Sequence, residues 1–191
     1  MNLFLDICQG MGLSAAAGVR PFLPALVTGA LASGDVGVDF DGTDYHFLES
    51  PGWLLAIVVA LLLSVLLRAV LESTAFEAAL GGVAIGVGTL LFAGTLADHG
   101  HTAWPGLVAG AALATLAQAS SRDLMTRAAR RLDRQAQAAL PVYFEGVALC
   151  IAAASILAPP VSLPVVGFLV WLLVSGRRRE GGKYAGLRIL R

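Results

Sequence analysis

Arg20 is the residue with the clearest chemical capacity in this chain. It lies in Gly12-Leu-Ser-Ala-Ala-Ala-Gly-Val-Arg-Pro-Phe-Leu-Pro24, a stretch otherwise made of small and apolar residues. A guanidinium among such neighbours can hold a carboxylate or a phosphate, and an ionisable group at membrane depth marks a site or a pathway. Pro21 lacks an N–H and disfavours helical geometry at Arg20, and Pro24 follows within one turn. The expected helix break therefore involves Gly18, Pro21 and Pro24. Glu145 is the second such residue, in Leu140-Pro-Val-Tyr-Phe-Glu-Gly-Val, one turn after a further break expected at Pro141. A carboxylate in an apolar helix must pair or take up a proton, and Arg20 is the partner that would satisfy both groups. Tyr143, Ser14, Thr28, Gln118 and Ser121 are candidates to line the same polar patch, Tyr143 and Ser14 foremost. Taken singly, such residues more commonly form interhelical hydrogen bonds.

The elements that must position these groups follow from composition. The chain has 191 residues, 57% hydrophobic and 14% charged, with a mean hydropathy of +0.78. Soluble domains carry roughly 25% charged residues. The expected fold is an all-α integral membrane protein, one domain over 1–191. About six spans are read, at 11–33 with the break near Arg20, 51–71, 78–97, 102–119, 141–157 and a short one at 161–175. Residues 3–33 are too long for one straight helix, since 31 residues would reach roughly 46 Å against a core of about 30 Å. Either 3–11 lies along the interface or 3–18 turns back as a re-entrant half-helix; the re-entrant form is preferred. No basic residue precedes the first apolar stretch, so no secretory signal is expected.

Charge gives an orientation. Of the 13 Lys and Arg residues, all but Arg20 lie from Arg68 onward, and most fall in Arg122–Arg134 and in the tail 177–191. Segment 34–50 holds Asp35, Asp39, Asp41, Asp44 and Glu49 and no basic residue. An even number of spans then puts both termini on the Arg-rich, cytoplasmic side. Residues 122–140 read as an amphipathic cytoplasmic helix, with Leu124, Ala128 and Leu132 opposite the arginines, lying on anionic lipid. That lipid contact accounts for the arginines without nucleic acid. Pro24-Ala-Leu-Val-Thr-Gly-Ala30 and Pro105-Gly-Leu-Val-Ala-Gly-Ala111 share a pattern three spans apart, compatible with inverted half-repeats over 11–97 and 102–176. Gly82, Gly86, Gly106 and Gly110 form small-xxx-small faces suited to close packing within the chain or to a homo-oligomer.

His46 with Asp44, and Asp98-His-Gly-His101, bring imidazoles and carboxylates together in loops, a chemistry open to zinc or copper. No spacing matches a structural or helical zinc pattern, so these are read as solvated loop histidines, with no metal and no cofactor expected. Cys8 and Cys150 are read as apolar filler, not as a disulfide. No nucleophile elbow, phosphate loop or dinucleotide fingerprint is present, so no enzyme is expected.

The stretch from Gly12 to Pro24 resembles the bacterial membrane family described as domain of unknown function 4126. So do Phe47-Leu-Glu-Ser-Pro51, Tyr143-Phe-Glu-Gly146 and Lys183-Tyr-Ala-Gly-Leu-Arg-Ile-Leu-Arg191. The resemblance spans most of the chain and implies a multi-pass protein of a bacterial inner membrane. Members of that family look to carry Glu in the second span followed by Asp-Lys, where this chain has Ser64, Arg68 and Ala69. They also carry Glu-Asp where it has Glu145-Gly146. A role resting on that acidic cluster is therefore not implied here. The family name brings no activity. Two functions follow from the residues. One is a small transporter or channel-like protein with Arg20 as site for an anionic solute or lipid headgroup and Glu145 as counter-ion. The other is a non-transporting scaffold or partner subunit in which Arg20 and Glu145 form a structural pair.

Overall fold

The structure, a computed structural model, describes residues 2–70 and 74–185. Among them are seven α-helices and no strand: α1 (Leu3–Val19), α2 (Phe22–Ala32), α3 (Pro51–Val70), α4 (Thr74–Asp98), α5 (Ala103–Ala129), α6 (Arg134–Leu157) and α7 (Ser162–Ala185). Two 3-10 turns, His46–Glu49 and Pro159–Val161, start the chain into α3 and α7. Two segments, Ala75–Asp98 and Gln135–Leu157, are long and apolar enough to cross a membrane; Leu3–Val19, Phe22–Ala32, Pro51–Leu67 and Pro159–Ser175 are apolar but shorter.

α1 is the axis of the bundle. It packs on α4, α5, α6 and α7, and almost every residue from Cys8 to Val19 is buried. Small side chains make this close approach feasible. A Cβ on Gly18 would lie 2.5 Å from the Ala114 carbonyl oxygen and 2.8 Å from Ala114 Cα. One on Gly10 would lie 2.9 Å from the Phe92 ring, and one on Gly12 would run into Ser155 Oγ. Gly106 and Gly110 likewise seat α5 on the backbone of α4, at 2.9 Å from Ala93 Cα and from Thr89 Cα. Gly82 and Gly86 face open space, so half of the glycine pattern is spent inside the chain and half is turned outward.

The same contacts give the direction of each helix. Asp6 meets His99 and His101 beyond the end of α4, Gly10 meets Phe92, and Ser14 donates to the Gly110 carbonyl at 2.9 Å. Gly18 meets Ala114, and Arg20 reaches Met125. α1 therefore runs antiparallel to α4 and parallel to α5. α2 then turns back, and the Gln9 side chain donates to the Gly37 carbonyl at 2.7 Å just beyond its end. α1 and α2 thus form a helical hairpin with Arg20 at its tip. α7 runs with α1, since Gly12 faces Ser162 and Ser120 donates to the Leu169 carbonyl at 3.0 Å.

Three expectations are corrected. The described residues do not begin and end at the same end of the bundle: α1 starts beside the 98–101 turn, whereas α7 heads toward the Arg20 end. Two antiparallel helices stand where one broken span was read over 11–33, so seven helices are described where six spans were expected. Residues 122–140 are not one separate helix either. Residues up to Ala129 complete α5, and Asp133 caps a new helix by accepting the Ala136 N–H at 2.8 Å. Pro141 does not break α6, which is helical on both sides of it. The tail arginines from Arg177 and the Arg68 side chain lie outside the described side chains, although the α7 backbone continues past the expected end at 175.

The core is mainly small and apolar but includes several polar side chains, and much of the outer surface is apolar. Asp6, Gln9, Ser14, Thr28, Thr95, Ser120, Ser155 and Ser162 are buried. Leu55, Leu62 and Leu66 on α3, Trp104 and Val108 on α5, Val142 and Leu157 on α6, and Phe168 and Trp171 on α7 are exposed. The acidic 33–50 segment is no loose loop, because Val38, Phe40 and Leu48 are buried in the core beside Leu91 and Ile156.

Candidate functional site

Arg20 is 7% exposed and has extended backbone, φ −151° and ψ 123°, between two helices. Its N–H still donates to the Ala16 carbonyl at 3.0 Å, closing α1, while Pro21 provides no N–H to continue the ladder. The break is therefore one residue wide and directs the guanidinium off the end of α1. Pro24 sits in the first turn of α2 without interrupting it, and Gly18 serves packing on Ala114 and not the break itself.

The guanidinium lines a cavity of about 50 Å³ together with Glu77, Gln118, Ser121, Arg122, Met125 and Glu145. Its Nη2 lies 3.6 Å from Met125 Sδ. Arg122 donates through Nη2 to the Glu77 carbonyl, which ties α5 to the start of α4. Two arginines and two glutamates from α1–α2, α4, α5 and α6 thus converge on one pocket. At roughly 10–15 Å³ per water, it has room for about three to five water molecules or one small polar group. The sequence singled out Arg20 and Glu145, and both line this cavity; Glu77 and Arg122 were missed as members, because each reads as an ordinary terminal charge of its helix.

Two expected site residues lie elsewhere. Tyr143 is 72% exposed and belongs to the outer face of α6, one helical side away from Glu145. Ser14 is fully buried two turns from Arg20, with its hydroxyl committed to Gly110. Gln118 and Ser121 line the cavity as expected, and Thr28 is buried in α2 outside it.

The opposite end of the bundle holds a second set of ionisable groups. Asp6 is fully buried, with Oδ1 3.6 Å from His99 Nε2 and Oδ2 3.4 Å from His101 Nε2. His99 is 17% exposed, so it is not a solvated loop histidine. Asp98 Oδ2 accepts the Asp39 N–H at 3.2 Å and lies 3.5 Å from His99 Nδ1. Asp6 was not foreseen; its signal is a carboxylate three residues into an apolar helix, in Leu3-Phe-Leu-Asp6.

In the 33–50 segment, His46 Nδ1 lies 2.7 Å from Glu49 Oε1 and 2.9 Å from Asp41 Oδ1. Glu49 Oε2 accepts the Phe40 N–H at 3.3 Å. Asp44, the partner expected from sequence, is not in this cluster. The hydrogen bond to Glu49 is the main cause that raises the His46 pKa above its usual 6.5; partial desolvation opposes it and Asp41 adds to it. A folded-state value above the unfolded one stabilises the turn fully below about pH 6.5, and that contribution fades as pH rises through the folded value. Protection factors of the amides across 41–49, taken relative to the intrinsic exchange rate at each pH, should therefore fall on the alkaline side of the His46 titration followed by NMR. His46→Gln should abolish that fall; protection factors that do not change with pH in the parent protein would disprove the link.

Comparison with known families places most of the chain: the model described as Domain of unknown function (DUF4126) matches residues 7–179. No curated protein and no solved structure matches the chain.

Proposed function

We propose that this chain, which belongs to the DUF4126 family, is a multi-pass membrane protein that binds an anionic group at the tip of the α1–α2 hairpin. The ligand is a small solute or a lipid headgroup, and the activity is that of a small transporter or channel-like protein. The observation that carries this reading is Arg20 itself: a buried cation on a one-residue helix break, facing a polar cavity. Irregular backbone at membrane depth is tolerated where it lines a cavity, and broken helices of this kind form the midplane sites of transporters. Membrane residence is supported by the apolar outer faces of α3, α5, α6 and α7, which in water would form a patch far above that of a soluble monomer. The Arg-rich end would face the cytoplasm of a bacterial inner membrane, against anionic lipid. Glu145 would be the counter-ion released or protonated when the anion enters.

The scaffold reading has one observation in its favour. The cavity also holds Glu77 and Glu145, so its formal charge is balanced and it needs no ligand for neutrality.

Water access separates the two. Single cysteines at Ser121 and Glu145, in a background lacking Cys8 and Cys150, would be exposed to a membrane-impermeant thiol reagent from each side. Gly18 is unsuited to this, because a side chain there collides with Ala114. Labelling from the Arg-rich side is expected. Complete protection from both sides in folded protein would favour the sealed structural pair.

A further inference from the structure

We propose that the ligand of the Arg20 cavity is a single-chain anionic lipid of the fatty-acid class, its carboxylate held at Arg20 and its hydrocarbon chain laid in an apolar cleft between α6 and α7. This rests on the anion-binding reading of Arg20 and names the substrate class that reading leaves open. The polar cavity alone is small, about 50 Å³, whereas ligand sites commonly measure about 300–1,000 Å³. Beside it lies a cleft of about 330 Å³. Its lining is apolar apart from Ser121, whose hydroxyl donates to the Gln118 carbonyl at 3.0 Å within its own helix. Such a space has no partners for water, and in a bilayer hydrocarbon fills it.

The cleft and the polar cavity share a wall. Val19 and Ser121 line both. Val19, Ser121 and Phe144 line the cleft, and the residue after each, Arg20, Arg122 and Glu145, lines the cavity. Three elements of the bundle therefore turn hydrocarbon or a spent hydroxyl to one side of the wall and a charge to the other. A molecule that reaches across it must be charged at one end and apolar beyond. A carboxylate suits the charged end, because a guanidinium binds it through two parallel N–H donors. It also suits the size, since the cavity holds only about three to five waters and a substituted phosphodiester headgroup is larger.

The cleft is open from the side. α6 leans on α1 and α2 and touches α5 and α7 only lightly. A Cβ on Gly146 of α6 or on Gly167 of α7 would meet nothing within 4 Å among the described residues, in contrast to the glycines that seat α1 and α5 on their neighbours. A hollow of about 820 Å³ along the outer face of α6 shares Val147, Ile151 and Val165 with the cleft. The two together make a hydrocarbon-lined way from the lipid to Val19, next to Arg20. On α7 the cleft runs from Pro164 to Leu172, roughly 12 Å of helix, with Leu172 toward the Arg20 end. That is the course of an acyl chain lying along the bundle with its head at the guanidinium.

The test uses the full chain in nanodiscs of zwitterionic phosphatidylcholine. Hexadecanoic acid carrying a diazirine in its chain is cross-linked by light, in parallel with its methyl ester, and the labelled residues are mapped by mass spectrometry. The acid should label α6 and α7 around Phe144, Phe168 and Leu172 several-fold more than the ester does. Labelling of Leu55, Leu62 and Leu66 on the outer face of α3 should be alike for both. Arg20→Gln should lower the acid's labelling of the cleft roughly tenfold, the scale of a lost hydrogen bond to a charged group, and leave the ester's unchanged. Should that variant not fold, Val147→Trp, which fills the cleft, should lower the acid's labelling there and not on α3. Equal cleft labelling by acid and ester in the parent protein overturns the proposal, because ordinary boundary lipid would give it. So does a cleft that neither probe labels, as a second copy seated on it would leave it. Inorganic phosphate, titrated by calorimetry into the parent and Arg20→Gln, tells the two failures apart. Phosphate binding that depends on Arg20 without acid-selective labelling removes the lipid and keeps the anion site; the absence of both removes both.

Discussion

Replacing Arg20 with glutamine should weaken binding of an anionic probe such as inorganic phosphate by roughly tenfold to a hundredfold. Hydrogen bonds to a charged group contribute about 1.5–3 kcal/mol, and each 1.4 kcal/mol is a factor of ten. Arg20→Lys should recover part of the loss, because a point charge remains but the planar fork does not. Glu145→Gln should act in the opposite direction and tighten binding, because it removes a negative charge from the same cavity. Calorimetry on the detergent-solubilised protein would read all three. Equal affinity in the parent and in Arg20→Gln would remove Arg20 from the binding role. Loss of affinity in Glu145→Gln would make Glu145 a structural partner of the site and not its counter-ion.

The second large effect comes from one methyl group. Gly18→Ala should destabilise the bundle by about 1–3 kcal/mol, the cost of overpacking a core that cannot shift. The new Cβ would sit 2.5 Å from the Ala114 carbonyl oxygen and 2.8 Å from Ala114 Cα, both main-chain atoms deep in α5. Gly82→Ala is the control, because nothing lies within 4 Å of its Cβ. There the same substitution should stabilise by about 0.4–1 kcal/mol through reduced freedom of the unfolded chain. Thermal unfolding of the two variants, followed by helical circular dichroism, should thus move in opposite directions. A Gly18→Ala variant as stable as the parent would mean that α1 and α5 are not in contact as described.

The helices were readable because apolar runs are bounded by Pro, Gly and charged clusters, and the break at Arg20 because Pro21 disfavours helical backbone in the residue before it. What could not be read is rotation and direction. Where a helix is apolar on every side, its sequence does not say which side turns inward, so Tyr143 and Glu145 could not be separated although α6 exposes one and shelters the other. Nor does a break reveal how far the chain turns. That needed the meeting of Asp6 with His99 and His101, a contact between residues more than ninety apart. Pro141 misled for a related reason: a proline removes one ladder bond, and tertiary packing elsewhere on α6 is enough to keep the helix running.

α3 packs mainly on α2 and on the His46–Glu49 turn, whereas α1 is held by five other helices. Its remaining flank carries Leu55, Leu62 and Leu66 into the surroundings. The bundle is therefore mechanically unequal, a fixed mast with one outrigger. α2 is the strut between them, and its first residues form the wall of the Arg20 cavity. Load applied to α3 would reach the bundle by two routes, through α2 to the wall of the Arg20 cavity and through Ile57 directly into the core.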